Sequence, residues 1–381
     1  MNSHIMQNQV VNHAVNYILG HASGEIGVDD VARVCGYSPY YLERLFKAET
    51  GEGIYSFIKR TKIEQSAFRL KVEKERSVTA IGQEYGYSSS NYATLFKKHF
   101  GRTPVSFRRQ IGRELLENSF FHPSPDGVRL FERPVLKDVW REALPGEVRM
   151  SESSALKGAW REALPGEARM SENSALKDAR KDAFSDEVQI PDRPALRAVS
   201  EYERETGLWD YEKCNAHMAV MQKDEYFVLY ERRKGNYHNL AENWHDFLDR
   251  YKGFVREDTV MLEITYEDPS ITAGDHCLYD ICITVEPDDP RLVLQKTAAV
   301  GITSRRRSET LPNTMTIPGG KFAVYRYQGY PQCIYKAYQS VFCNWLSRTG
   351  YKIDNRPGYD VYHRIDEDTL YMELDICIPI I

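Results

Sequence analysis

No stretch of 18 apolar residues occurs anywhere in the 381-residue chain, and the first 20 residues, MNSHIMQNQVVNHAVNYILG, have neither a basic start nor an unbroken apolar run. That pattern argues against a membrane-spanning helix or a secretory signal, so no membrane partner and a cytoplasmic location are expected. Cysteine is sparse: seven residues, at 35, 214, 277, 282, 333, 343 and 377, an odd and scattered set without CxxC spacing. A disulfide framework is therefore not expected, and the thiols read as reduced packing residues. There is also no cluster with metal-ligand spacing and no nucleophile, histidine and acid in catalytic order. Neither a metal, nor a cofactor, nor an enzymatic role is expected. What remains is an ordinary globular balance, 42% hydrophobic and 28% charged, in a chain long enough for two or three domains.

Charge is unevenly shared. Residues 1 to 120 hold 16 Lys and Arg against 12 Asp and Glu, a net of +4, while the rest of the chain nets −9. A basic module on an acidic chain suits a segment that meets nucleic acid, because Lys and Arg that neutralise phosphates release condensed counterions.

The basic segment repeats itself at an offset of 50. Gly36-Tyr37-Ser38 recurs as Gly86-Tyr87-Ser88, Leu45-Phe46-Lys47 as Leu95-Phe96-Lys97, and Gly51 as Gly101. Val28, Val31, Ala32 and Cys35 have helical spacing, Gly36 stops that helix, and Ser38 with Pro39 starts another whose inward stripe is Leu42, Leu45 and Phe46. Val78, Ile81 and Tyr85, then Ser88, Tyr92, Leu95 and Phe96 repeat the plan. Residues 54 to 71 contain neither Gly nor Pro and place Ile63, Ala67 and Leu70 on one face, so they are expected to form one helix joining two helix-turn-helix units.

Further along, LKDVWREALPGEVRMSESSA from Leu136 and LKGAWREALPGEARMSENSA from Leu156 agree at 16 of 20 positions, and a decayed third copy starts at Leu176. Such near-identity favours an expanded linker over a solenoid, with Trp140 and Trp160 the only hint of a contact surface. The C-terminal segment repeats at an offset of 95: Asp280-Ile281-Cys282-Ile283 recurs as Asp375-Ile376-Cys377-Ile378. Each half reads as a strand (Phe227 to Tyr230; Phe322 to Tyr327), a Gly-containing turn, a helix with large apolar residues and two more strands, with residues 216 to 222 as an opening strand. A duplicated α+β module is expected, with helices on one side and a groove between modules.

The pattern Val31-Ala32-x-x-Cys35-Gly36-Tyr37-Ser38-x-x-Tyr41-Leu42-x-Arg44-Leu45-Phe46-Lys47, with Leu95-Phe96-Lys97-Lys98-x-Phe100-Gly101-x-x-Pro104, resembles the DNA-binding domain of AraC-family transcription regulators. The resemblance covers about 8 to 111 and implies a partner, double-stranded promoter DNA. By that likeness Tyr40, Glu43 and Arg44 of the first recognition helix would face base edges. In the second helix Ser89, Ser90, Asn91 and Thr94 would do so with weaker readout. Lys47, Lys97, Lys98, Arg102, Arg108 and Arg109 are the expected phosphate contacts.

Residues Ile264-Thr265-Tyr266-Glu267-Asp268-Pro269, Cys277-x-Tyr279-Asp280-Ile281-Cys282, Ile317-Pro318-Gly319-Gly320-Lys321-Phe322 and Asp375-Ile376-x-Ile378-Pro379 resemble the GyrI-like effector-binding domain. Here the likeness implies a small-molecule effector, hydrophobic or a lipophilic cation, held by an acidic residue on the last strand, at Asp375. Tyr266, Trp345, Tyr362 and Tyr371 are the candidate aromatic walls. The organisation expected is thus multidomain: an all-α double helix-turn-helix domain (8–111), a linker with three tandem repeats (112–215) and an α+β duplicated-module effector-binding domain (216–381). The function expected is transcription regulation, as an activator that meets RNA polymerase. The alternatives are a C-terminal hydrolase using Asp375 with a tyrosine, and a protein-binding module.

Overall fold

The computed structural model describes residues 4–109, 211–235, 237, 240–292, 312–329, 331–365 and 371–381. The 20-residue repeats between Leu136 and Ala195 lie outside the described residues, as does most of the segment assigned to a linker.

The N-terminal domain is helical: α1 (Gln9–His21), α2 (Val28–Cys35), α3 (Pro39–Thr50), α4 (Ile54–Val72), α5 (Val78–Glu84), α6 (Ser89–Phe100) and a short α7 over 104–109. The repeat explains their ends. Gly36 and Gly86 take φ of 74° and 80°, and Gly51 and Gly101 take 79° and 71°. These are left-handed conformations in which a side chain costs roughly 1–2 kcal/mol, so each repeat copy stops its helices at the same two points. Ser38 caps α3 by accepting from the Tyr41 amide, and α6 starts 50 residues later at Ser89. Leu42 and Phe46 pack into one core with α1 and α2, and Tyr92 and Phe96 into a second with α5, both against α4.

The first described element of the C-terminal domain is α8 (Tyr211–Ala216), whose Cys214 is buried in the sheet's core. That helix falls within the stretch expected to be linker. Around it lies one antiparallel sheet formed by β2 (Met218–Lys223), β3 (Tyr226–Lys234), β4 (Met261–Thr265), β5 (Leu278–Thr284), β6 (Asn313–Ile317), β7 (Gly320–Gly329), β8 (Tyr359–Ile365) and β9 (Met372–Pro379). Helix α9 (Leu240–Tyr251) follows β3, and α10 (Pro331–Ser340), continued as a wider turn over Val341–Trp345, follows β7.

Strand order reveals the duplication and a swap. The path runs β3-β5-β4-β8-β9-β7-β2, with β6 on the outer edge of β3. The opening strand β2 pairs with β7 of the second half, while β6, which precedes that half, pairs with β3 of the first. Each half thus lends its leading strand to the other, and the halves meet where β4 pairs with β8. The two expected antiparallel sheet halves thus join edge to edge in one continuous sheet. Trp244, Phe247, Trp345 and Leu346 of the helices cover one face, with Tyr279, Leu374 and Ile376 beneath them.

A feature absent from the sequence reading is β1 (His4–Met6), which pairs with Arg232 to Lys234 on the edge of β3. The helical domain is therefore laced into the sheet, and Leu278 of β5 packs in one cluster with Met6, Val11 and Phe57. All seven cysteines are free thiols, five of them buried. Among the described residues, no helix is long and apolar enough to cross a membrane.

Candidate functional site

Two surfaces gather the chemistry. The first is the face of α3 and α6. Tyr40 is 76% exposed, and Arg44, Ser89, Ser90, Asn91, Thr94, Lys47, Lys97, Lys98 and Arg109 are all exposed on the helical domain. Thr94 already spends its hydroxyl on the Ser90 carbonyl (3.0 Å). Two of the expected contacts lie elsewhere. Glu43 turns inward and accepts from the Ile54 amide at 3.0 Å, supplying the cap that α4 lacks at Gly53. A Cβ at Gly53 would collide with that carboxylate. Arg108 reaches back to the Leu70 carbonyl at 3.3 Å and the Lys74 carbonyl at 3.5 Å, closing the far end of α4. Both side chains hold the connecting helix, for unpaired helix-end groups need such partners. Arg102 is half-buried, its guanidinium over the Phe107 ring.

The second surface is a cavity of about 920 Å³ where the sheet meets the helical domain. Its sheet side includes Trp244, Glu263, Tyr266, Glu267, Tyr338, Asp360 and Tyr362. Glu263 and Asp360 are Cα partners across the β4–β8 seam, so the two halves of the duplication set two carboxyl groups side by side. Each has a phenol: Tyr362 Oη donates to Glu263 Oε2 at 2.9 Å and Tyr338 Oη to Asp360 Oδ1 at 2.5 Å. Burial pushes the Glu263 carboxyl up to about 7, with Tyr362's hydrogen bond pulling partly the other way. Burial, and then the nearby Glu263 charge, push Asp360 well above the usual carboxylate range. Two buried like charges cannot both ionise cheaply, so the pair holds a proton near neutrality. A weakly hydrated cation between aromatic faces would favour ionisation instead.

Of the expected effector residues, Tyr266 and Tyr362 line this cavity, whereas Asp375, Trp345 and Tyr371 do not. Asp375 is committed instead to cations beside it on β7 and β8. It shares the face of Cys377, opposite to Leu374 and Ile376, and ion-pairs there with Arg326 (2.6 Å) and His363 (2.9 Å). Burial opposes its ionisation, but the His363 hydrogen bond and the charges of His363, Arg326 and Lys223 hold its carboxyl below the usual range. Trp345 packs in the helix-side core, its indole donating to Asn215 at 2.9 Å. Glu263 and Asp360 were missed, yet a signal existed. Glu263 alternates with Met261 on β4, and Asp360 with Tyr362 on β8, so each acid falls at an inward position of a buried strand.

The other wall of the cavity belongs to the helical domain: Asn16 and Leu19 of α1, Thr61, Glu64, Gln65, Phe68 and Arg69 of α4, and Tyr85 after α5. Buried ion pairs fasten this junction. Lys71 Nζ stands 2.5 Å from Asp268 Oδ2, and Arg232 pairs with Asp280 at 2.6 Å while donating to the Asn12 carbonyl.

Residues 218–381 match the model of the GyrI-like small molecule binding domain, and residues 31–110 match that of a helix-turn-helix domain. The chain is 31% identical over 135 residues to the transcriptional regulator Rob of Salmonella typhimurium, covering 33% of this chain and 46% of Rob. It is 39% identical over 105 residues to an uncharacterized HTH-type transcriptional regulator of Pseudoalteromonas carrageenovora, covering 27% of this chain and 61% of that protein. A third relative is the probable transcription factor PqrA of Proteus vulgaris, 32% identical over 106 residues, which cover 27% of this chain and 86% of PqrA. The chain thus spans less than half the length of Rob.

Proposed function

The chain belongs to the AraC family of transcription regulators and carries a GyrI-like small molecule binding domain after its helix-turn-helix pair, and from that membership we propose that it binds promoter DNA and adjusts transcription to a small hydrophobic cation. The single observation that carries the ligand class is the facing pair Glu263 and Asp360 within an aromatic cavity. In this reading the cavity holds its ligand and returns it unchanged, the regulator works in the cytoplasm, and it activates through contact with RNA polymerase.

On DNA, α3 and α6 each enter a major groove, held apart by the 19-residue α4, about 28 Å long at 1.5 Å per residue. Arg44 binds a guanine edge and Tyr40 lies against a thymine methyl, while Lys47, Lys97, Lys98 and Arg109 take phosphates. Ser89, Ser90 and Asn91 read bases more weakly, being short and uncharged.

The deciding experiment titrates the full chain, and its Glu263→Gln and Asp375→Asn variants, with tetraphenylphosphonium and neutral triphenylphosphine oxide, following tryptophan fluorescence and ligand integrity. Cation binding that Glu263→Gln abolishes and Asp375→Asn retains supports the proposal. Binding of the neutral compound alone, or turnover of the cation, defeats it. For the DNA half, Arg44→Ala should cost about 1–3 kcal/mol on the specific duplex and almost nothing on random DNA.

A further inference from the structure

Helix α4 is covered almost completely beyond its first turn and a half. From Arg60 to Val72 every residue is buried except Gln65 and Phe68, and both of these line the cavity. They stand three positions apart, hence on one face of the helix. The charged residues around them are committed to the sheet domain. Arg69 donates to the Ile353 carbonyl at 2.8 Å and to Asn355 at 2.7 Å, and Lys71 pairs with Asp268. The junction has closed over α4 everywhere but at the cavity wall.

The same helix leads onward to the second helix-turn-helix unit. Glu64 Oε2 accepts from Thr272 of the sheet domain at 3.0 Å, and its Oε1 stands 3.2 Å from His99 Nε2, near the end of α6. Tyr85, which closes α5, also lines the cavity. On the other side α1, whose Asn16 and Leu19 line the cavity, packs in one core with α2 and α3.

We infer that the effector site is composite: its occupant touches Gln65 and Phe68 as well as the Glu263–Asp360 pair, and its presence is felt by the helical domain through α1 and α4. This rests on the small-molecule reading above and adds its regulation. A ligand contacting both domains binds more tightly to one relative placement of them than to another, and that differential affinity is what shifts an equilibrium. Thermodynamic reciprocity then requires DNA to change ligand affinity by the factor by which ligand changes DNA affinity, commonly about 5- to 150-fold.

The test uses the full chain, tetraphenylphosphonium and a specific duplex, with each Kd measured in the absence and presence of the other component. Wild type should show equal reciprocal factors different from one. Phe68→Leu and Gln65→Ala should each weaken cation binding by about 2- to 10-fold, the scale of one aromatic or polar contact. Both should leave DNA affinity in the absence of cation unchanged. Because Phe68 also meets Phe342 edge-on at 5.1 Å, Gln65→Ala is the check against a loosened junction. Thr272→Val removes a tie between Glu64 and the sheet domain, so its reciprocal factor should move toward one. Cation binding that Gln65→Ala and Phe68→Leu leave intact, or reciprocal factors of one in wild type, overturns the composite site while the effector reading stands. No cation binding by wild type overturns both.

Discussion

The two halves of the sheet carry the same acid and arginine on paired strands, Asp280 with Arg232 and Asp375 with Arg326, in opposite surroundings. In the first half both side chains are fully buried, and the remaining hydrogen-bond capacity is met by neutral groups: Tyr266 Oη donates to Asp280 at 2.6 Å and the Asn12 carbonyl accepts from Arg232 at 3.3 Å. In the second half Arg326 keeps 25% of its side-chain surface, and the third partner is the ionisable His363. One repeat unit thus became part of a domain junction and the other stayed at a rim, because α1 packs over the first. A duplicated sequence specifies the pair; what docks on it sets how much the pair matters.

The largest expected effect tests that contrast directly. Arg232→Met leaves Asp280 buried without its counter-charge and should destabilise the full chain by about 3–5 kcal/mol in urea unfolding. A cost as small as that of the rim pair would erase the distinction. At the seam between the halves the sign reverses. The folded Glu263 carboxyl sits near 7, above its ordinary 4.5. The stability it contributes is complete below the ordinary value and is lost as pH rises through 7. Glu263→Gln cannot lose a proton, so it should gain on wild type between those limits and level off about 3 kcal/mol more stable at pH 8. A gain independent of pH would show that the acid is not protonated by its surroundings.

The smallest effect belongs to the rim. Arg326→Met, with His363 and the charge of Lys223 still beside the buried Asp375, should cost about 2 kcal/mol. Its signature is in acid: the depressed carboxyl of Asp375 contributes stability above the ordinary carboxylate value and loses it as pH falls through its folded value. Removing Arg326 should bring that acid loss to higher pH, followed by denaturation between about pH 2 and 5. An unmoved acid limb would leave His363 and Lys223 as the partners that count.

The helical domain was largely legible in the sequence because its repeat punctuates itself: Gly36, Gly51, Gly86 and Gly101 mark helix ends by local chemistry alone. The faces of its helices were legible only in part. Glu43 and Arg108 project from the expected elements but are drawn inward by the open ends of α4, which no pattern of apolar residues announces. In the sheet domain the strands were readable by alternation, but their neighbours were not, since nothing in Met218–Lys223 says that its partner is β7. The acid of the cavity was sought on the repeated motif at Asp375, where the second half's own arginine already neutralises it. The facing acids of the cavity, Glu263 and Asp360, stand on β4 and β8, outside the repeated motif.

The small strand β1 bears on how the molecule is made. Asn12, just after that strand, is 220 residues from its partner Arg232, and at about 5–20 residues per second the ribosome takes roughly 10–45 s to cover that distance. The helices from α1 to α7 are all synthesised within that interval, with their own two cores available, while β1 waits for an edge that does not yet exist. Assembly of the nascent chain should therefore include a late stitching step, in which a strand made before the helices is sewn into a sheet made after them.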